Sequence, residues 1–343
     1  MILLSKQLID DLDKPGGLQR ALQKAIELEH ATLPTYLYSL YSLSDDNAEI
    51  AGLVLEVIME EMLHFAVACN TLNAVGGSPD IDKPGFIPSY PGHLPGGVDS
   101  SLCVHLRRFS LEHVHNTFMS IEEPEDPLHF PVAMAAVDHV TIGEYYTRIE
   151  NKIAELGEGI FTGDPALQVL GGFSPDELFP ITGVTSAKKG IELIRQQGEG
   201  TTTSPVDPEK ELAHYYKFAE IWHGRHLVAV PNPPPGTPDD QKYRYDGPVI
   251  PFDPAKVLPV VDDPKASKYP ATSQAHFLND NFNYAYTSLL KALHLTFNGQ
   301  PNRLDSAIAI MHSMRELAME MMNVPFENCE NAGPSFEYQP VNK

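Results

Sequence analysis

The sequence predicts an all-α protein: a four-helix bundle with long loop insertions and an extra pair of C-terminal helices. Three observations carry this. Apolar residues recur at three-and-four spacing over long stretches, the period of one helix face. Acidic and imidazole side chains fall inside some of those apolar stripes. Between the stripes the chain is rich in proline and glycine, and within the stretch 76–131 VHLRRFSL (104–111) alternates well enough for one extended segment.

The first helix is expected over 18–43, after the turn Lys14-Pro15-Gly16-Gly17. Its stripe is Leu18, Leu22, Ala25, Ile26, Leu33, Tyr36, Leu37, Leu40 and Leu43. Glu29 lies within the stripe, whereas Glu27 and His30 lie with Arg20 and Gln23. Pro34 removes a backbone donor and crowds the carbonyl of His30, so a bend is expected just after Glu29. Ser44 to Asn47 form the turn and cap of a second helix, over 50–75. There Ile50, Val54, Val57, Ile58, Phe65, Ala68, Leu72 and Val75 share a face with Glu61 and His64. A buried ion pair satisfies that pattern, and so does a divalent cation held by carboxylate and imidazole, which offsets the several kcal/mol that an unpaired buried carboxylate costs.

Periodicity stops from 76 to 131, where PDIDKPGFIPSYPGHLPGG alone supplies five prolines. Within this insertion Ser110 is expected to cap a short helix through Glu122, with Leu111, Val114, Phe118 and Ile121 on its apolar face. The insertion, with Tyr90, His93, His105 and His115, is a candidate lid over a substrate. A third long helix is expected over 132–156, with Met134, Val137, Thr141, Glu144, Tyr145 and Arg148 on one face. A glycine-rich connection leads to a helix over 186–197 and another over 208–227, where Glu211, His214, Tyr215, Phe218, Ile221 and Trp222 share a stripe. Tyr36 and Tyr145 lie near these inward groups in phase, as core packing or as pocket walls.

The expected organisation is a bundle over 1–230 with the insertion at 76–131, a proline-rich extended arm over 231–270, and a helical pair and tail over 271–343 packed on the bundle. The C-terminal helices fall at 273–296 and 302–322; their methionines sit at the spacing of core filler.

Glu-x-x-His occurs five times, so the motif alone decides nothing; helical phase sorts the copies. Glu27/His30 is on a polar face, Glu112/His115 flanks its stripe, and Glu220/His223 is turned away from its own. What remains is Glu29, Glu61 with His64, Glu144, and Glu211 with His214. One Glu from each of two helices and Glu-x-x-His from each of two others is the ligand set of di-iron and di-manganese carboxylate bundles. Glu199, or Glu192 one heptad earlier, is the alternative to Glu211 as fourth-helix carboxylate. Glu60, offset by about 100° from Glu61, is expected beside the ligands or in solvent.

Composition narrows the partners. With 24 basic and 46 acidic side chains the formal charge is -22, which argues against nucleic acid and anionic membranes. Three widely spaced cysteines without a CxxC pair indicate neither a disulfide framework nor a thiolate zinc site. The N-terminal apolar run is too short for a signal peptide and no apolar stretch is long enough for a membrane span, so a cytoplasmic protein is expected, free to form homo-oligomers.

Five segments together resemble a known family: IELEHATLPTYLYSLYSL (26–43), EEMLHFAVACNTLNAVGGSP (60–79), LPGGVDSSLCVHLRRFSLEHVHNTFMSIEEPE (94–125), IRQQGEGT (194–201) and ELAHYYKFAEI (211–221). They are similar to the ferritin-like family that includes the iminophenyl-pyruvate dimer synthase domains of violacein and rebeccamycin biosynthesis. The resemblance implies a ferritin-like bundle and, for those members, oxidative coupling of two imino acids derived from tryptophan. Those proteins are much larger, so their substrate does not carry over, whereas the metal-ligand positions do. The expected activity is that of an oxidoreductase using two iron ions, or manganese, with molecular oxygen on a small organic, amino-acid-derived molecule. The rival readings are a ferroxidase or iron-storage protein, which would assemble as a 24-subunit shell, and a non-redox protein with a structural metal such as zinc.

Overall fold

Four helices close into a ring around the site, and the sequence explains where each begins. The computed structural model describes residues 3–96, 102–124, 139–199, 204–207, 210–238 and 241–339. In chain order the helices are α1 (Gln7–Asp10), α2 (Gly17–Tyr41), α3 (Ala48–Ala74), α4 (Leu111–His113), α5 (Met119–Ile121), α6 (Ile142–Leu156), α7 (Val184–Glu199), α8 (His214–His223), α9 (Gln274–Phe297) and α10 (Leu304–Met321). Helix α2 packs on α3, α3 on α7, α7 on α6, and α6 back on α2, so these four form the bundle. Among the described residues, no helix is long and apolar enough to cross a membrane.

Gly16 and Gly17 start α2 for steric reasons. Gly16 adopts φ 69°, and a Cβ on Gly17 would stand 2.2 Å from the carbonyl oxygen of Asp11. The helix then runs through Pro34 without a break. Beside that proline, the Tyr90 hydroxyl donates to the carbonyl of Ala31 at 2.7 Å. Helix α3 buries Ile50, Val54, Val57 and Ile58 against α2, and each such side chain contributes about 1.5–3 kcal/mol on leaving water.

Two expected helices start later than their apolar patterns suggest. Of the third, residues 132–138 lie outside the described residues, and His139–Thr141 is a strand, β2, paired antiparallel with β1 (Leu3–Ser5). Helix α6 begins after it, with the Thr141 hydroxyl accepting from the Glu144 N–H at 3.0 Å. The buried face is therefore Tyr145, Tyr146, Ile149 and Ile153. Of the last bundle segment, residues 208–209 are not described, Lys210 turns with φ 73°, 211–213 are non-helical, and α8 runs only from His214 to His223. The fourth bundle helix is consequently α7, with α8 packed across α3, α7 and the insertion.

Within the insertion, Ser110 caps α4 by accepting from the His113 N–H at 3.0 Å. One wide turn, Val114–Phe118, joins α4 to α5, with Met119 N–H donating to Val114 O. Glu122 follows directly.

The arm and C-terminal helices continue the same core. Strands β3 (Val228–Ala229) and β4 (Tyr243–Arg244) pair, and Leu258 N–H donates to Ser42 O at 2.8 Å. Phe282 and Leu290 of α9 and Met314 and Ala318 of α10 share one buried cluster with Ile26 and Val54. The last described stretch lies along α9: Ser335, Glu337 and Gln339 donate backbone N–H groups to Asn279, Asn283 and Thr287, side chains spaced one helical turn apart.

Candidate metal centre

Five side chains from four segments meet inside the ring. Glu29 comes from α2, Glu61 and His64 from α3, Glu122 from the end of α5, and His214 from the first residue of α8. Glu61 Oε1 lies 2.9 Å from His214 Nδ1 and 3.9 Å from His64 Nδ1. Glu29 Oε2 is 3.6 Å from His64 Nδ1, and Glu122 Oε2 is 3.4 Å from His214 Nδ1. The result is nearly symmetric: Glu29 with His64 on one side, Glu122 with His214 on the other, and Glu61 between.

An outer layer fixes each of these groups. Tyr146 donates to Glu29 Oε1, Tyr36 to Glu122 Oε1, and Thr32 to Glu61 Oε2 at 2.9 Å. Both imidazoles turn Nδ1 toward the carboxylates and Nε2 away. His64 Nε2 meets Gln197 Oε1 at 2.9 Å; His214 Nε2 lies 3.0 Å from Glu60 Oε2, without the alignment of a full hydrogen bond. Glu60 in turn accepts from Lys217 Nζ at 2.6 and 2.7 Å.

The electrostatics are those of crowded acids. Burial raises the Glu61 carboxyl to about 7, with the Glu122 and Glu29 charges adding to the rise and His214 opposing it. For His64 burial favours the neutral ring, but the bond to Glu29 and the Glu29 and Glu61 charges outweigh it and the net shift is upward. For His214 burial favours the neutral ring, but its contacts with Glu122, Glu60 and Glu61 together outweigh that and push it well above its ordinary value. Glu60 moves the other way: burial would raise it, yet His214 and Lys217 bring it down to about 2. Glu61, His64 and His214 are thus each shifted toward holding a proton.

The donor set fits a divalent metal. One ligand atom from each of Glu61, His64 and His214 falls within 4.8 Å of the others, and atoms bound at about 2.1 Å to one ion stand about 3 Å apart. Ligating imidazoles characteristically give their second nitrogen to a carboxylate or amide, as Glu60 and Gln197 are placed to accept here.

The fold around this centre matches a family model described as ferritin-like over residues 22–223, more than half the chain and every element that supplies the centre. The chain belongs to the ferritin-like family. This ferritin-like protein is 26% identical to dichlorochromopyrrolate synthase of Lentzea aerocolonigenes over 93% of its own length, and it spans 36% of that larger relative. It also aligns with the crystal structure of a ferritin-like protein from Caulobacter vibrioides, with a TM-score of 0.62 and 23% identity, covering 94% of this chain and 97% of that one.

The ferritin-like centre draws in Glu29, Glu61, His64 and His214 but leaves out the other two expected groups. Glu144 is on the outer face of α6, its side chain 39% exposed and paired with Arg148 at 3.0 Å, because the helix begins at Ile142 and its phase differs from the expected one. Glu211 is exposed on the non-helical lead into α8, where Val206 and Leu212 bridge, and so is not one helical turn from His214. Glu192 is exposed, and the side chain of Glu199 lies outside the described residues. Sequence reasoning missed Glu122, although its spacing of four from Phe118 places it on the insertion helix's apolar face. It also missed Tyr146, adjacent to the expected Tyr145, whose hydroxyl instead donates to Ala21 O at 2.9 Å. The candidate lid residues do not line the cavity beside the centre: Tyr90 is buried on Ala31, His105 pairs with Asp263 at 2.6 Å, His93 contacts Leu102 O, and His115 packs at a tilt against Trp222. Leu94, Ile121, Glu122 and Glu123 represent the insertion there instead.

Proposed function

We propose that this protein is a metal-dependent oxidoreductase that uses molecular oxygen on a small organic molecule in specialised metabolism, with iron as the metal and two ions per chain. The observation that carries the reading is the paired arrangement about Glu61: a carboxylate and an imidazole on each side, each held by its own outer partner. A buried ion-pair network would not need both Nδ1 atoms turned onto the same carboxylate. Similarity to a synthase over nearly the whole chain supports a catalytic role over storage.

Glu29, Glu61, His64, Glu122 and His214 would hold the metal, with Glu29 and His64 to one side of Glu61 and Glu122 and His214 to the other. Iron bound there would supply one-electron transfer to dioxygen, and manganese is the alternative metal for such oxygen-rich ligands. The protein's own contribution is order and exclusion. Tyr146, Tyr36 and Thr32 restrict the three carboxylates, so their oxygens do not reorganise during turnover. Gln197 and Glu60 hold the imidazoles with Nδ1 inward. Leu28, Leu94, Ile121, Ile142 and Ile194 wall the adjoining cavity, keep bulk water from the centre and offer an apolar bed for a substrate. Glu61, with its carboxyl near 7, is placed to take up or return a proton at Oε1 when metal occupancy changes.

The test is metal analysis of protein produced in iron-replete medium, followed by anaerobic reduction, exposure to oxygen and optical monitoring. About two irons per chain and an oxygen-dependent absorption change are expected. Less than one metal per chain, or tightly held zinc with no oxygen-dependent change, would overturn the proposal.

A further inference from the structure

The cavity beside the centre has a polar pole that the metal reading leaves unused. Its described walls carry four glutamates, several aliphatic side chains and a single guanidinium, that of Arg195, and no lysine. Arg195 lines the cavity with its α7 neighbours Ile194 and Gly198.

The Nε atom of Arg195 is buried and, among the described residues, donates to nothing. Leaving a buried donor unmade is unfavourable, and more so when the group is charged. The rest of the guanidinium is partly exposed and only loosely paired: the Arg195 side chain is 36% accessible, Glu150 Oε2 stands 3.8 Å from Nη1, and Lys188 holds the other Glu150 oxygen at 3.0 Å. An arginine fork with one unpaired buried donor matches a planar oxyanion in geometry and charge, and carboxylate takes that fork through two parallel bonds. Leu28, Ile142 and Ile194 in the same wall favour an aliphatic or otherwise apolar body behind the charged end.

We propose that Arg195 anchors the carboxylate of an apolar organic acid in this cavity, and so sets both the substrate class and its orientation toward the centre. This rests on the proposed function for its catalytic meaning, but the anchoring is testable without turnover. Binding of hexanoate and of its neutral isostere hexanamide would be measured by titration calorimetry on zinc-loaded, redox-silent protein, with zinc content determined on each sample. The wild type is expected to bind hexanoate at least tenfold more tightly than hexanamide. Arg195→Leu should remove that preference by weakening hexanoate tenfold or more with hexanamide unchanged; Arg195→Lys should retain part of it. Lys256→Leu, which alters a cation paired with Asp46 away from the cavity, should leave both ligands unaffected. Equal hexanoate affinity in wild type and Arg195→Leu, or the same loss in Lys256→Leu, would overturn the anchor. Protein that carries zinc yet shows no preference for hexanoate sinks this inference alone. A preference that depends on Arg195 in protein retaining no metal supports the anchor while counting against the metal centre.

Discussion

Glu61 is the side chain whose loss should matter most. It is 3% exposed, lies between both imidazoles, and is in contact with groups from α2, α3 and α8. Replacing Glu61 or His64 with Ala is expected to abolish metal loading, measured as metal per chain, while Glu27→Ala, Glu144→Ala and Glu211→Ala retain it. Glu27 pairs with Lys24 and Lys83 rather than with the centre, and equal loss in that variant would contradict the assignment. One layer out, Glu60→Gln or Lys217→Met should weaken metal affinity about 10–100-fold by releasing the His214 ring, as outer partners of metal ligands do. Affinity unchanged in both variants would show that His214 is held by something else.

Protons and metal compete for the same residues. In metal-free protein Glu61 holds its proton up to about 7, and His64 and His214 are raised as well. A group bound more tightly to its proton in the folded state contributes stability at low pH and loses it as pH rises through the folded value. Glu60, lowered to about 2, acts in the opposite sense, but only as pH falls toward that value. Buried His30 and His113, lowered to about 3, add stability as pH rises to their ordinary value near 6.5, so the centre's effect shows above it: the melting temperature of metal-free protein should fall as pH rises from about 6.5 to about 8, and saturating divalent metal should suppress the fall. A melting temperature that climbs over that range without metal would contradict the electrostatic account. The residues that the sequence revealed, Glu29, Glu61, His64 and His214, were legible for one reason: an acid or imidazole inside an apolar stripe has few places to go. Glu122 was harder to read, because it leaves a helix only a few turns long inside a proline-rich insertion, where a stripe of four residues is weak evidence.

The elements tell a similar story about length. Helices α2 and α3 each carry a long uninterrupted stripe, and they were readable almost to the residue. Helices α6 and α8 were read too long, and each error moved one glutamate to the wrong face. The Thr141 hydroxyl ends β2 and starts α6, a cap that competes with upstream apolar residues for the helix start. Thr141→Ala is expected to cost about 0.5–2 kcal/mol of stability through loss of that cap, checked by denaturant unfolding. Thr141→Ser should restore most of it. Serial placement also explains α7: it carries no Glu-x-x-His, so sequence reasoning gave its bundle position to the segment of His214, although α7 supplies Gln197 to the centre.

Across the whole molecule, the C-terminal helices are part of the bundle's core rather than an appendage. The His30 Nε2–Tyr286 hydroxyl contact at 2.9 Å and the Asn73 bond to Phe297 O at 2.8 Å join α9 to the helices that carry Glu29 and Glu61. Phe282→Ala, at a fully buried position, should cost about 3–5 kcal/mol and shift a single unfolding transition rather than produce a second one. The central claim is that this shared core holds five ligands about two cations, and an anomalous-scattering difference map of crystals grown with iron tests it most directly. The account predicts two peaks above the iron edge, flanking the Glu61 carboxylate, one beside Glu29 and His64 and the other beside Glu122 and His214. Featureless density there in iron-loaded protein, or peaks only at surface carboxylates such as Glu144 and Glu211, would contradict it.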